Sequence, residues 1–122
     1  MATILIAGED TGRLAILESE LSAEGHDVIT AANGQDAYDR TRAAAPEAVF
    51  LELNMPVFNG YETCRLLRDD PDVPPGLPII IFTSTDLNER AMAKAGPTDR
   101  LAKHHQAYEL RELLSRHLPS PF

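Results

Sequence analysis

Cysteine is nearly absent from this chain: Cys64 is the only one in 122 residues. That excludes an internal disulfide framework and suits a reducing compartment, so a cytoplasmic location is expected. Long apolar runs are missing too, and none approaches the roughly 18 residues of a membrane span. The opening Met1-Ala2-Thr3-Ile4-Leu5-Ile6 has no basic stretch or cleavage site, which argues against a signal peptide. Basic residues are scarce, 11 Lys and Arg against 19 Asp and Glu, for a net charge of −8. A surface so short of cations is not built for a phosphate backbone, so nucleic acid is not an expected partner of this domain. The deficit lies in the first half: residues 1–61 hold 3 basic and 10 acidic residues, residues 62–122 hold 8 and 9. Most of that charge is expected to be solvated surface. Repeats and low-complexity tracts are lacking. Nothing resembles a linker before Pro119-Ser120-Pro121-Phe122, which reads as a tail or the start of one. One domain over residues 1–118 is therefore expected.

What is present is enough apolar residue for a core, 43% hydrophobic against 25% charged. Short apolar runs alternate with helical spacing. Strands are expected at Thr3–Ala7, His26–Ala31, Ala48–Leu53, Ile79–Thr83 and Thr98–Ala102. Helices are expected at Thr11–Glu24, Asn33–Ala44, Tyr61–Arg68, Asp86–Ala95 and Tyr108–His117. Leu14, Leu17 and Leu21 line one face of the first, which Gly25 stops. Asn54–Gly60 is rich in turn residues, and Asp69–Pro78 holds four prolines and a glycine. Unbroken apolar strands are buried on both faces, which calls for a parallel sheet covered by helices on each side. The fold class is thus α/β, a three-layer, doubly wound, five-stranded parallel sheet. Such sheets carry their chemistry just beyond the carboxyl ends of the strands. The residues there are Gly8-Glu9-Asp10, Glu52, Thr83-Ser84 and Lys103.

The segments ILIAGED, AEGHDVITAANGQDAYD, VFLELNMPVFNGYETCRLLR, PIIIFTS and AGPTDRLAK together resemble a two-component response-regulator receiver domain, over essentially the whole chain. The most specific piece is LNMP followed by NG after the third strand. The resemblance implies a flavodoxin-like sheet of order 2-1-3-4-5. It also implies a signalling module rather than an enzyme, in which an aspartate takes a phosphoryl group from a kinase histidine. Acids after the first strand hold a divalent cation that offsets charge repulsion, and a lysine and a hydroxyl grip the phosphoryl oxygens. Thr83 and Lys103 match that hydroxyl and lysine.

Four positions depart from the pattern. The phosphoacceptor position holds Glu52 instead of aspartate. The acid pair after the first strand reads Gly8-Glu9, with Asp10 next; no insertion is expected there, although a one-residue slip would make Glu9 and Asp10 the acidic pair. Lys103 is followed by His104 rather than proline. The aromatic switch position holds Arg100. One extra methylene should carry the Glu52 carboxylate roughly 1–1.5 Å deeper, a misplacement that costs about 100-fold in oriented reactions. Glu52 either imitates the phosphorylated state by pairing with Lys103, or marks a site that has lost phosphorylation and signals by docking; a plain buried ion pair has the same geometry. No cofactor is required on this reading. A magnesium site made from Glu9, Glu52 and the Asn54 carbonyl is weak or absent, because Gly8 removes one charge. Glu9 and Asp10 can equally be a solvated first turn.

Thr83 or Ser84 is expected to cap the following helix. Without proline, the Lys103–His104 peptide should be trans, a cis bond costing about 2.5–4 kcal/mol. The adjacent His104 and His105 are expected at the surface. Arg100 should stay outside the apolar interior, and Cys64 should pack in or near the core. Expected partners are signalling proteins of a bacterial phosphorelay, a histidine kinase or an output partner, with a dimer as a further form. Arg90, Lys94, Arg100 and Arg111, on the face of the fourth helix, fifth strand and fifth helix, would suit an acidic partner. Two alternatives stand beside the pseudo-receiver: a phosphorylation-competent receiver using Asp10 or Glu52, and a flavodoxin-like nucleotide or flavin binder. Against the second, Thr11-Gly12 sits beside the acids Glu9 and Asp10, and no Gly-rich cradle accompanies it.

Overall fold

The computed structural model describes residues 2–118, so the expected tail at 119–122 lies outside the described residues. Five strands, β1 (Thr3–Ala7), β2 (Asp27–Ala31), β3 (Ala48–Glu52), β4 (Ile79–Thr83) and β5 (Asp99–Ala102), form one parallel sheet in the order β2-β1-β3-β4-β5. Helices α1 (Thr11–Ala23), α2 (Gly34–Ala44), α3 (Gly60–Asp69), α4 (Glu89–Ala95) and α5 (Ala107–His117) connect and cover it.

Consecutive apolar residues in the central strands supply two cores at once, because side chains alternate across a strand. Leu5, Val49, Leu51, Ile79 and Ile81 face α2, α3 and α4. Ile4, Ile6, Phe50, Ile80 and Phe82 face the leucines of α1 and α5. This two-sided demand is why β1, β3 and β4 read as unbroken apolar runs. Edge strand β2 is only partly buried, in keeping with its mixed sequence.

Helix boundaries follow cap chemistry. Asn59 Oδ1 accepts from the Glu62 N–H and Glu62 Oε1 accepts from the Asn59 N–H, a reciprocal cap that starts α3. Gly60 must be small here, since a Cβ on it would stand 2.9 Å from the Glu52 carbonyl oxygen. That contact seats the Asn54–Gly60 turn against the end of β3. Helix α4 begins three residues later than expected. Its cap is Asn88, whose Oδ1 accepts from the Ala91 N–H, and neither Thr83 nor Ser84 caps it. Thr83 Oγ1 instead accepts from the Thr85 N–H at 3.1 Å, which tightens the turn after β4.

The proline-rich stretch 69–78 is held by two clamps. Tyr38 donates to Asp70 at 2.5 Å, and Arg42 pairs with Asp70 and Asp72. The Tyr38 hydrogen bond holds the Asp70 carboxyl below its ordinary range. On the other side, Arg68 donates to the carbonyls of Pro75, Leu77 and Gly96 and to Thr98 Oγ1. Arg68→Ala leaves the part-buried Leu77 carbonyl without this donor and opens the three exposed acceptors to water, and about 1–2 kcal/mol of stability should be lost. A urea-midpoint shift read by circular dichroism checks it, and a change below about 1 kcal/mol would show that water replaces the guanidinium.

Candidate functional site

Glu52 is the last residue of β3, and β3 lies between β1 and β4. The residue is 2% exposed. A carboxylate this deep requires partners, and the chain supplies them from three elements. Oε1 accepts from the backbone N–H of Glu9 at 3.1 Å and of Asp10 at 3.4 Å, both in the turn entering α1. Oε2 lies 2.8 Å from the Lys103 ammonium. This last contact is an ion pair without a well-directed hydrogen bond, since Oε2 has no hydrogen-bond partner of good geometry. Lys103 directs its hydrogen bond to Asp10 Oδ2, also at 2.8 Å. Asp10 in turn caps α1 through Oδ1, which accepts from the Arg13 N–H.

The geometry bends both titrations in the direction of the charged forms. The Lys103 hydrogen bond, helped by the Arg13 N–H, holds the Asp10 carboxyl below its usual value. Burial works to lower the Lys103 ammonium, but the carboxylates of Asp10 and Glu52 outweigh it and hold it above its usual 10.5.

Glu52 lies over Gly8. A Cβ on Gly8 would stand 2.7 Å from Glu52 Cβ, 2.9 Å from Cδ and 3.1 Å from Oε1. Gly8 is therefore more than a missing acid; it is the space Glu52 occupies. The register, Ala7 opposite Leu51, puts these two residues side by side just past the paired strands.

Among the other expected site residues, Asp10 joins the cluster, while the Glu9 side chain is exposed and only its backbone N–H takes part. Asn54 lies on an exposed bend. The described residues contain no group of three or more His, Cys, Asp or Glu side chains able to hold a metal. Both oxygens of Glu52 and both of Asp10 already face N–H or ammonium groups. The cluster therefore offers a divalent cation no carboxylate oxygen of Glu52 or Asp10 that is not already engaged. Thr83 is buried nearby but turns its hydroxyl to Thr85.

Arg100 stays outside, 48% exposed at the side chain, with two bonds to Glu89 at 2.6 and 3.0 Å. That pairing lowers Glu89 and raises Arg100 relative to their ordinary values. It also uses up one of the four cations expected to attract an acidic partner; Arg90, Lys94 and Arg111 remain exposed. A cleft of about 410 Å³ between the turn after β4, β5 and α5 has Asp86, Arg100, Leu101, Glu109, Glu112 and Arg116 in its lining, so its bases do not stand alone.

The described peptides are all trans, Lys103–His104 included. His104 is exposed and meets Arg13 at 2.6 Å. His105 corrects the expectation of surface placement: its side chain is 2% exposed, between Glu20 of α1 and the Ala102 carbonyl, each at 2.8 Å, and edge-on to Phe82. Successive side chains do point apart, but here the second points inward. Cys64 is buried as expected; burial pushes its thiol up to about 11, so it is no nucleophile.

Comparison with known proteins agrees with this fold. The family model for the response regulator receiver domain matches residues 4–115. A response regulator MprA of Mycolicibacterium vanbaalenii is 37% identical over 115 residues, covering 93% of this chain and 47% of its own. A probable transcriptional regulator, ycf27, of Porphyridium aerugineum is 36% identical over 109 residues, 88% of this chain and 44% of its own. The chain thus spans a little under half the length of these curated relatives. Among solved structures, a putative response regulator from Chloroflexus aurantiacus superposes with a TM-score of 0.88 at 29% identity, covering 96% of this chain and 97% of that one. The receiver domain of a sensor histidine kinase from Pseudomonas aeruginosa, solved with a magnesium ion coordinated in its active-site cleft, also reaches 0.88 at 26% identity, with 98% of each chain covered.

Proposed function

The chain belongs to the response regulator receiver domain family, and on that footing we propose that it is a two-component signalling module that works without a phosphoryl group on Glu52. The carrying observation is that each Glu52 oxygen is already engaged by the chain's own groups, the Glu9 and Asp10 amides and Lys103. A carboxylate so held has no free oxygen aimed outward to attack a phosphoryl group. The lysine that would grip phosphoryl oxygens is spent on Asp10 and Glu52. With Arg100 tied to Glu89, the switch position offers no ring to swing inward.

What remains is protein contact. We assign the receiver module to residues 1–118 and its partner surface to the α4–β5–α5 face, with a histidine kinase or an output protein as partner and the cytoplasm as the place. No described helix is long and apolar enough to cross a membrane.

Acetyl phosphate with excess magnesium should leave the wild-type mass unchanged. Glu52→Asp alone should be modified at most weakly, and Glu52→Asp combined with Gly8→Asp more strongly, because reach and charge serve one event. Intact-mass spectrometry checks all three. A phosphoryl adduct on the wild type that vanishes in Glu52→Gln would overturn the proposal in favour of a phosphorylation-competent receiver.

A further inference from the structure

We propose that the turn between β1 and α1 is an anion cradle, and that the Glu52 carboxylate is its tethered ligand, admitted because Gly8 has no side chain. This deepens the reading above by naming what the site binds: a small monocarboxylate, normally supplied by the chain itself.

The cradle has two N–H donors and one cation. The donors are the N–H groups of Glu9 and Asp10, which lead into α1 and lie 3.1 and 3.4 Å from Oε1. The cation is the Lys103 ammonium, 2.8 Å from Oε2. Both amides precede the first turn of α1, which Asp10 Oδ1 caps through the Arg13 N–H, so they are free to turn to Glu52 instead of to the helix. A carboxylate at 2% exposure is aimed into these groups, and its Oε2, although 2.8 Å from the Lys103 ammonium, lacks a directed hydrogen bond. The approach depends on position 8, where any Cβ would overlap Glu52 Cβ and Cδ.

Charge selects the class of ligand. Asp10 shares Lys103, so a dianion such as phosphate would meet a carboxylate beside its only cation. A monoanion meets less repulsion. Shape selects further: the heavy atoms that Glu52→Ala removes, Cγ, Cδ and two oxygens, are those of acetate. In the wild type the tether makes occupation intramolecular, and free anions compete poorly against so high a local concentration.

The test is to cut the tether and add acetate itself. Glu52→Ala is compared in sodium acetate and in sodium chloride of equal ionic strength, by thermal unfolding and by the amide shifts of Glu9 and Asp10. With a dissociation constant on the order of 10 mM, about 100 mM acetate should favour the folded variant roughly tenfold over chloride. The two amides should shift together, and the wild type should respond to neither salt. Glu52→Ser is titrated in parallel as a second cut tether, so that poor folding of one variant does not silence the test. A response in either variant at those amides supports the cradle. No acetate-specific response in both, or an equal one in the wild type, overturns it. The two readings fail separately: phosphorylation of wild-type Glu52 leaves the acetate result standing, and a silent acetate titration leaves the phosphorylation result standing.

Discussion

Lys103→Met should cost about 3–5 kcal/mol of folding stability, whereas Lys103→Met combined with Glu52→Leu should fold near wild-type stability. The single change strips Glu52 of its cation while its side chain stays 3% exposed. Two backbone N–H groups on Oε1 cannot replace an ammonium on Oε2. The double change removes both charges from the interior, and the desolvation cost leaves with them. Asp10 complicates the cycle little, because its side chain is 40% exposed and water takes it when Lys103 is gone. Urea unfolding of the two single variants and the double gives the coupling. If the double variant is no more stable than Lys103→Met, the pair holds the fold by geometry rather than by mutual neutralisation.

The pH dependence of the same cluster has a determinate sign. Asp10 has a lowered folded value, so its contribution is complete above about 3.9, the unfolded value, and fades as pH falls through the lower folded one. Lys103 has a raised folded value, so its contribution is complete below its ordinary 10.5 and fades as pH rises past it. Between these limits Asp10 and Lys103 should add no slope to the stability profile, which urea unfolding across pH checks.

Gly8→Asp is the second large effect, expected to cost about 3 kcal/mol or more. Its Cβ would lie 2.7 Å from Glu52 Cβ, closer than packed carbons tolerate. It would also set a third acid beside one lysine. Gly8→Ala separates the causes, since it adds the Cβ without the charge. Glu52→Asp in the Gly8→Asp background relieves the contacts with Cδ and Oε1 but retains Cβ, so only part of the loss should return. Thermal unfolding of the four proteins measures this. Gly8→Ala at wild-type stability would show that the ends of β1 and β3 part freely, and the steric account would fall.

The fold was legible because two-sided burial leaves a strong mark. Ile79-Ile80-Ile81-Phe82 cannot sit on a half-solvated surface, and the alternation with Leu14, Leu17 and Leu21 spacing fixes a helix on the sheet. The strand-end residues Glu52, Asp10 and Lys103 were legible by the same route. What escaped was direction. Nothing in the string says that Lys103 turns to Asp10 as well as Glu52, or that Gly8 serves as a void, because both depend on residues more than forty positions apart. The α4 cap was misread because Thr83, Ser84 and Thr85 are all cap formers, and only the path of the chain selects Asn88. His105 was misread because alternation gives relative direction along a strand but not which side is inside.

The contacts made by residues 103–105 have a consequence for cooperativity. Asp10, Arg13 and Glu20, spread along the entry and length of α1, each hold one of Lys103, His104 and His105. A helix near one end of the sequence is thereby fastened at three heights to a loop near the other. The two segments are therefore expected to open together, as one foldon, despite about eighty residues of intervening chain. Hydrogen exchange checks this: loosening the Glu20–His105 contact with Glu20→Ala should lower amide protection in α1 and in residues 103–105 together.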